Sequence, residues 1–291
     1  MADIIFDCLL DTLIDGVKLI PFLYLTYLAM EYLEHKASSK TNKIIQKSGK
    51  WGPFFGSVIG IVPQCGFSAA ASGLYAGRII SMGTLISVYL STSDEMLPIL
   101  ISQKVSPTLI LEILGLKVVI GMIAGFAIEA VHHFLNRKNH VIEAEELKIH
   151  ELCDHEHCHC NEKNIFASAL YHTVQVLIYI LLISLAINLV VALVGEDRIS
   201  AFLVGKRLLS VLISALVGLI PNCASSVVIT QLYLEGILGF GAMIGGLLVG
   251  SGVGLLILFK VNESLKENLK ILGILYFVGA FCGLILSLVF G

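Results

Sequence analysis

A tract of metal-binding side chains lies near the middle of the sequence. Residues 150–160 have the sequence HELCDHEHCHC, and the candidate ligands in it are His155, His157, Cys158, His159 and Cys160. Imidazole and thiolate groups at this close spacing suit zinc, copper, nickel or cobalt, whereas calcium and magnesium prefer oxygen ligands. The tract has no CxxC pair, so it is more typical of a collecting segment than of a defined structural site. Incidental metal affinity in a loop without function is the alternative.

Two short motifs combine a proline, an amide and a cysteine inside apolar sequence. They are IVPQCGFS at 61–68 and LIPNCASS at 219–226. Because lipid cannot satisfy exposed backbone groups, a break of this kind is tolerated inside a membrane only where it lines a polar cavity. A kink packed by small residues is the alternative, but the repetition favours a binding site. The candidate substrate-binding residues here are Gln64, Cys65, Ser68, Asn222, Cys223 and Ser225, with Cys65 and Cys223 as metal ligands.

A third polar motif places two carboxylates within an apolar block. The run STSDEMLP at 91–98 predicts Asp94 and Glu95 about midway along a helix within residues 80–102. Charges at this depth are costly and usually mark an ion or proton pathway. In the alternative, 80–93 and 96–102 are separate elements and the carboxylates lie in a solvated turn. The candidate substrate-binding residues of this run are Ser91, Ser93, Asp94 and Glu95, the two carboxylates also being candidate metal ligands.

The composition predicts an all-α polytopic membrane protein. Of the 291 residues, 56% are hydrophobic and 14% are charged, the mean hydropathy is +0.88, and the charges cluster between apolar blocks. Each block reaches the roughly 20 residues that a spanning helix needs, and the sequence lacks the alternation typical of a β-barrel. The first 33 residues have no basic start and no small-residue cleavage site, so we expect a retained first span rather than a signal peptide. The net charge of −3 gives no indication of nucleic-acid binding.

The sequence repeats itself with an offset of 158 residues. This offset aligns PQC with PNC, and LEILG at 111–115 with LKILG at 269–273. We therefore predict two homologous halves, residues 1–134 and 165–291, joined by a polar linker at 135–164. Tandem repeats are typical of secondary transporters, whose substrate site lies near the midplane on helices broken by Gly or Pro. The first proline should divide its block into half-helices at 52–62 and 65–77, as a re-entrant hairpin or as two short spans.

The distribution of Lys and Arg bears on membrane orientation. If each broken block returns to its own side, one face carries 13 basic residues and the opposite face carries 4. The basic face is then cytosolic and includes the linker, and the halves form an inverted repeat. If each broken block crosses once, the counts are 12 and 5 and the linker lies outside. The linker thiols favour the first arrangement, because disulfides are rare in the cytosol.

Several motifs together resemble one family of transporters. The stretches PQCGFSAAASGLY, STSDE and IPNCASS, with the His/Cys-rich linker, are similar to the ten-span heavy-metal exporters, also called arsenic efflux proteins, of bacteria and archaea. The resemblance covers nearly the whole chain outside the linker, and it implies five helices per half and export of a toxic metal or metalloid. The motif positions that it carries over are Pro63, Gln64, Cys65, Gly66, Ser68, residues 91–95, Pro221, Asn222, Cys223 and Ser225.

The resulting hypothesis is a secondary-active exporter of a soft or borderline transition metal in the plasma membrane, coupled to protons through Asp94 or Glu95. We expect no permanently bound cofactor, and the expected partners are the transported ion and membrane lipid but no nucleic acid; a homodimer stays open. Efflux of arsenite or another metalloid is the nearest alternative. A membrane-embedded metal-dependent enzyme and a passive channel are alternatives of other classes. The repeat favours transport, and the sequence contains neither GxxxxGK[ST] nor HExxH.

Overall fold

The computed structural model describes residues 9–28 except 11, 15, 22 and 26, and residues 51–63, 65–93, 96–138, 165–194 and 207–290. Within these ranges the regular structure is helical and there is no strand, which confirms the predicted all-α class for this part of the chain. Among the described residues, four helical segments are long and apolar enough to cross a membrane, and they are Pro107–Phe134, Ala169–Ala186, Phe240–Val261 and Leu265–Val289. The protein is therefore a membrane protein built from helices.

Eleven helices follow the helical residues between 9 and 28 in the described part of the chain. In the first half they are α1 (Gly52–Ile59), α2 (Cys65–Ala76), α3 (Met82–Ser91), α4 (Met96–Ser102) and α5 (Pro107–Lys138). In the second half they are α6 (Ile165–Val194), α7 (Arg207–Gly218), α8 (Cys223–Leu234), α9 (Phe240–Val249), α10 (Gly254–Val261) and α11 (Leu265–Val289).

The predicted breaks at the two prolines are confirmed. Helix α1 ends at Ile59 and α2 begins at Cys65, while α7 ends at Gly218 and α8 begins at Cys223. Proline lacks a backbone N–H and disfavours helical backbone at the residue before it, so the chain leaves the helix ahead of each proline. The first half-helix ends three residues earlier than the predicted 62, because the chain turns at 60–63 before the second half-helix starts.

The prediction of one continuous helix carrying Asp94 and Glu95 at its middle is wrong. Helices α3 and α4 are separate, and the two carboxylates between them lie outside the described residues. The physical reason is a tertiary contact, because the side chain of Ser93 donates to the carbonyl of Ile61 in the first break and draws the chain away from the α3 axis. The second half has the same interruption at 250–253, between α9 and α10.

The helix boundaries repeat with the offset that the sequence shows. Four helix starts in the first half, at residues 65, 82, 96 and 107, correspond to starts at 223, 240, 254 and 265, and each pair differs by 158. Close backbone approaches repeat as well. A Cβ added at Gly60 would lie 2.8 Å from the carbonyl oxygen of Val88, and one added at the matching Gly218 would lie 2.2 Å from that of Gly246. The two halves therefore share local packing as well as sequence.

Contacts between the halves are reciprocal. Helix α2 of the first half packs against α10 of the second, and α8 of the second half packs against α4 of the first, while α3 and α9 contact each other. Exchange of equivalent contacts is what a twofold relation between two similar units produces. The apolar side chains of Leu85 and Ile86 in α3 and of Leu248 in α9 are fully buried there. The inverted orientation of the two halves in the membrane stays a prediction.

Candidate functional site

The structure brings the two motif cysteines together. The sulfur atoms of Cys65 and Cys223 lie 3.0 Å apart, although the residues are 158 positions apart in sequence. Each is the first residue of its helix, α2 or α8, and neither is in a disulfide. Zn–S bonds are about 2.3 Å long, so a tetrahedral ion holding both sulfurs would separate them by ~3.8 Å. A shift of less than about 1 Å would therefore turn this pair into two ligands of one ion.

Identical hydrogen bonds hold the two tips. The Ser68 hydroxyl donates to the carbonyl oxygen of Cys65 at 2.8 Å, and the Ser226 hydroxyl donates to that of Cys223 at the same distance. One turn further along, Ser72 donates to the Ser68 carbonyl and Thr230 donates to the Ser226 carbonyl, each at 2.7 Å. The backbone that carries each thiol is therefore fixed in the same way in both halves.

The second tip has additional polar contacts. The side-chain oxygen of Asn222 accepts a hydrogen bond from the Ala224 N–H at 3.5 Å and caps α8. The Ser225 hydroxyl donates to the Asn222 carbonyl at 2.8 Å. The residue of the first tip that matches Asn222 is Gln64, and it lies outside the described residues. Because α2 and α8 both begin at the thiols, two helix N-termini meet there, and their partial positive charge favours negative charge at this point.

A cavity opens beside the second thiol. Its walls include Cys223 and Asn222 from the tip and Val253 from the second break. Thr12 and Ser184 add hydroxyl groups from the N-terminal helical segment and from α6, and the rest of the lining is aliphatic or glycine. The second thiol is therefore adjacent to a small space that has a few polar groups on an apolar wall.

The serines of the third motif differ in position. Ser91 is buried, and its hydroxyl donates within its own helix to the carbonyls of Ser87 at 2.8 Å and Val88 at 3.1 Å. Ser93 instead donates to the carbonyl of Ile61, two residues before Pro63, and so joins the second break of the first half to the first tip. The structure therefore places Ser93 beside the tip, whereas Ser91 braces α3.

Comparison with known proteins identifies the family of this chain. A family model described as "Putative, 10TM heavy-metal exporter" matches residues 1–197, about two thirds of the chain. The chain belongs to this family. No curated protein and no solved structure matched it in the same comparison. The match includes PQC, STSDE and the linker and ends before PNC, so the thiol of the matched part finds its partner in a region outside the match.

Sequence reasoning missed one polar residue of this exporter-family member. Ser251 lies in the break after α9, is 1% exposed, and has no hydrogen-bond partner for its hydroxyl among the described residues. The 158-residue offset aligns it with Ser93, so the repeat itself contained the signal. Its neighbour Val253 lines the cavity beside Cys223. A buried hydroxyl without a partner is costly unless a ligand supplies one.

The remaining predicted metal ligands of this exporter-family member are not described. The linker residues His155, His157, Cys158, His159 and Cys160, like Asp94 and Glu95, lie outside the described residues. Within the described ranges no group of three or more His, Cys, Asp or Glu side chains is placed to hold a metal ion. The described part of the candidate site therefore consists of two sulfur atoms with hydroxyl and carbonyl oxygens around them.

Proposed function

We propose that the protein is a secondary-active exporter of a soft or borderline transition-metal ion, and that the ion binds between Cys65 and Cys223. The observation that carries this proposal is the 3.0 Å separation of two thiols contributed by the two halves of the repeat. Thiolates are preferred ligands of such ions. Membership of a heavy-metal exporter family supports the transport class.

The surroundings of the thiols suit transient binding rather than a structural metal. Two sulfurs leave positions on a tetrahedral ion for oxygen ligands, and the candidates are Gln64, Asn222, Ser251 and the carbonyls of the tips. The hydroxyls of Ser68 and Ser225 donate to tip carbonyls, and a hydroxyl that donates can still accept through its oxygen lone pairs. A site assembled from both halves releases its ion when the halves move apart. Alternating access then follows from rocking of one half against the other.

Thiol variants test the metal site. The linker tract 150–160 is first replaced by Gly and Ser so that its own ligands do not contribute, and Co²⁺ is titrated into the purified protein. We expect cobalt–thiolate charge-transfer absorption that is lost in Cys65→Ser and equally in Cys223→Ser. The double variant should add little, because the two ligands act as a unit. Cys282→Ser, in α11, serves as the matched control and should keep the signal.

Persistence of the cobalt signal in either tip variant would refute the metal site. Small additive losses would identify the two cysteines as packing residues. Metal binding without metal transport would support the binding site but refute the exporter function. Flux of metal into inverted membrane vesicles is therefore measured on the native protein and on the same variants.

Proton coupling is assigned to Asp94 or Glu95. Protonation of a carboxylate removes both a ligand and a charge from a site shielded from water, which favours release of a bound cation. The variant Asp94→Asn with Glu95→Gln is therefore expected to bind Co²⁺ at the thiols but to lose metal-driven proton movement in proteoliposomes. Transport with unchanged pH dependence in this variant would exclude both carboxylates as the coupling groups.

Efflux of arsenite or another metalloid is the second candidate function. Trivalent arsenic also binds thiols, and the two helix N-termini that meet at Cys65 and Cys223 would suit a metalloid substrate in an anionic form. A transport panel of arsenite, Zn²⁺, Co²⁺ and Cd²⁺ in the plasma membrane of expressing cells separates the candidates. Export of arsenite alone, abolished by either tip variant, would select the metalloid. Metal export with no response to arsenite would select the first proposal.

A further inference from the structure

Lys117 is a buried lysine at the contact between the two halves. It lies within the membrane-spanning part of α5, and only 1% of it is exposed. Moving an ammonium group out of water costs several kcal/mol unless its surroundings compensate for the lost hydration. The hydrogen-bond partners of this side chain therefore indicate the role of a lysine at this position.

Carbonyl groups from both halves accept hydrogen bonds from the side chain of Lys117. Nζ of Lys117 donates to the carbonyl oxygen of Thr92 at 2.5 Å and to that of Leu247 at 2.7 Å. Thr92 is the residue that caps the C-terminus of α3, and Leu247 lies in the last turn of α9. Since α3 and α9 are repeat equivalents, the C-terminal ends of two matching helices point at one cation.

Such helix ends are cation sites in their own right. The last carbonyls of a helix have no partner within the helix, and they carry the negative end of the helix dipole. In transporters with broken helices, unwound carbonyls and helix C-termini coordinate small monovalent cations. The position that matches Lys117 in the second half is occupied by Leu275, which is fully buried and apolar. The single amino group of Lys117, from the first half, therefore donates hydrogen bonds to carbonyls at the helix ends of both halves.

We propose that Lys117 is a tethered cation that fills a monovalent-cation site formed by the C-termini of α3 and α9. The ligand class of this site is Na⁺, K⁺ or a small alkylammonium ion, and the lysine replaces it permanently. Thr92 is followed by Ser93, which bonds to the Ile61 carbonyl beside the first tip. The tethered cation thus acts as a positioning group for the tips without a dissociable alkali ion.

Substitutions that remove the ammonium test this proposal. Lys117→Ala, Lys117→Leu and the control Lys260→Ala are purified in detergent. Thermal unfolding is followed at one ionic strength in the chlorides of N-methyl-D-glucamine, sodium, potassium and methylammonium. Lys260, in α10, lies over the ring of Tyr179 and is therefore a cation outside the proposed site. For the native protein, the unfolding temperature should not depend on which of the four salts is present. The same should hold for the Lys260→Ala control.

The two Lys117 variants should respond differently to salt. Lys117→Ala should unfold about 10 °C lower in N-methyl-D-glucamine chloride. It should regain most of this loss, saturably, in at least one of the other salts, because a small cation enters the vacated space. Lys117→Leu has the side chain found at position 275, which occupies the space without satisfying the carbonyls. It should stay destabilised in every salt.

Three results would overturn the proposal. They are equal stability of Lys117→Ala in all four salts, a cation effect that does not saturate, and failure of this variant to fold even in methylammonium chloride. Transport of a heavy metal is not the readout, so the outcome is independent of the proposed function. A lysine that merely fills space would be replaced equally well by leucine, and no salt would then distinguish the variants.

Discussion

Arg78 and Glu267 form an ion pair that joins the two halves at one end of their contact. Nη2 of Arg78 donates to both carboxylate oxygens of Glu267, at 3.1 and 3.0 Å, and the Tyr75 hydroxyl donates to Oε2 at 3.2 Å. The repeat positions that match Arg78 and Glu267 are Gly236 and Leu109, so the pair has no symmetric counterpart. The ion pair is therefore a contact between the halves that the repeat does not duplicate.

A double-mutant cycle on this pair is expected to give a coupling energy of about 1 kcal/mol, because both side chains are partly exposed. The cycle uses Arg78→Ala and Glu267→Ala, with Lys266→Ala as the neighbouring control. If the pair keeps one end closed, its loss should also speed alkylation of Cys65 by a permeant maleimide. Zero coupling together with an unchanged alkylation rate would show that the pair does not fasten the halves.

The tips were predictable because the forces that form them are local. Proline interrupts a helix wherever it stands, and the match of PQC with PNC at an offset of 158 residues indicated that Cys65 and Cys223 occupy equivalent places. Equivalent places in two related halves lie close together when they are near the symmetry axis. The 3.0 Å distance between the sulfurs agrees with that geometry.

The second break and the lysine site depend on distant contacts, which explains why sequence reasoning failed there. A run of apolar residues at 80–102 resembles one helix until the Ser93 bond to Ile61 is known. Lys117 is close to its acceptor Thr92 only in the folded first half, and its other acceptor, Leu247, is 130 residues away in the second. No local pattern in α5 indicates either partner. The repeat aligns Ser251 with Ser93, but only the structure shows that its hydroxyl is buried and has no partner among the described residues.

Glycine substitutions should separate close packing from free surface within one repeat. Gly218→Ala places a Cβ 2.2 Å from the Gly246 carbonyl oxygen, a backbone atom that cannot turn away. We expect this substitution to destabilise the protein by about 3 kcal/mol. Gly273→Ala has nothing within 4 Å and lies inside α11, so it should be neutral or stabilising by up to about 1 kcal/mol. Thermal unfolding of the two purified variants in one detergent measures the difference.

The matching glycine in the first half supplies an internal check. Gly115, which aligns with Gly273, also has nothing within 4 Å. Gly115→Ala should therefore behave like Gly273→Ala. A loss of stability at either of these positions as large as at Gly218 would contradict the packing described for the two halves.

Removal of the linker tract should separate metal collection from transport. Deletion of 150–160 removes the His and Cys cluster without touching either half of the repeat. We expect the apparent affinity for metal, measured by export at low cytosolic concentration, to fall while the maximal rate is retained. A scrambled tract with the same composition is the matched control and should behave like the native chain, because a collecting segment depends on ligand density rather than on order. Complete loss of export would place the transport site in the linker.

Substitution of Ser251 should change stability and substrate affinity in opposite directions. Its hydroxyl is buried without a partner among the described residues, so Ser251→Ala removes an unsatisfied group and should leave the free energy of unfolding unchanged or raise it by about 1 kcal/mol. If that hydroxyl supplies an oxygen ligand beside the thiols, the same substitution should weaken Co²⁺ binding roughly tenfold, which corresponds to about 1.4 kcal/mol. Ser93→Ala is the matched control from the other half. It breaks a bond to the Ile61 carbonyl, so it should lower stability by about 1 kcal/mol. Thermal unfolding and Co²⁺ titration of both variants decide the matter, and a Ser251→Ala protein that binds Co²⁺ like the native chain would remove Ser251 from the site.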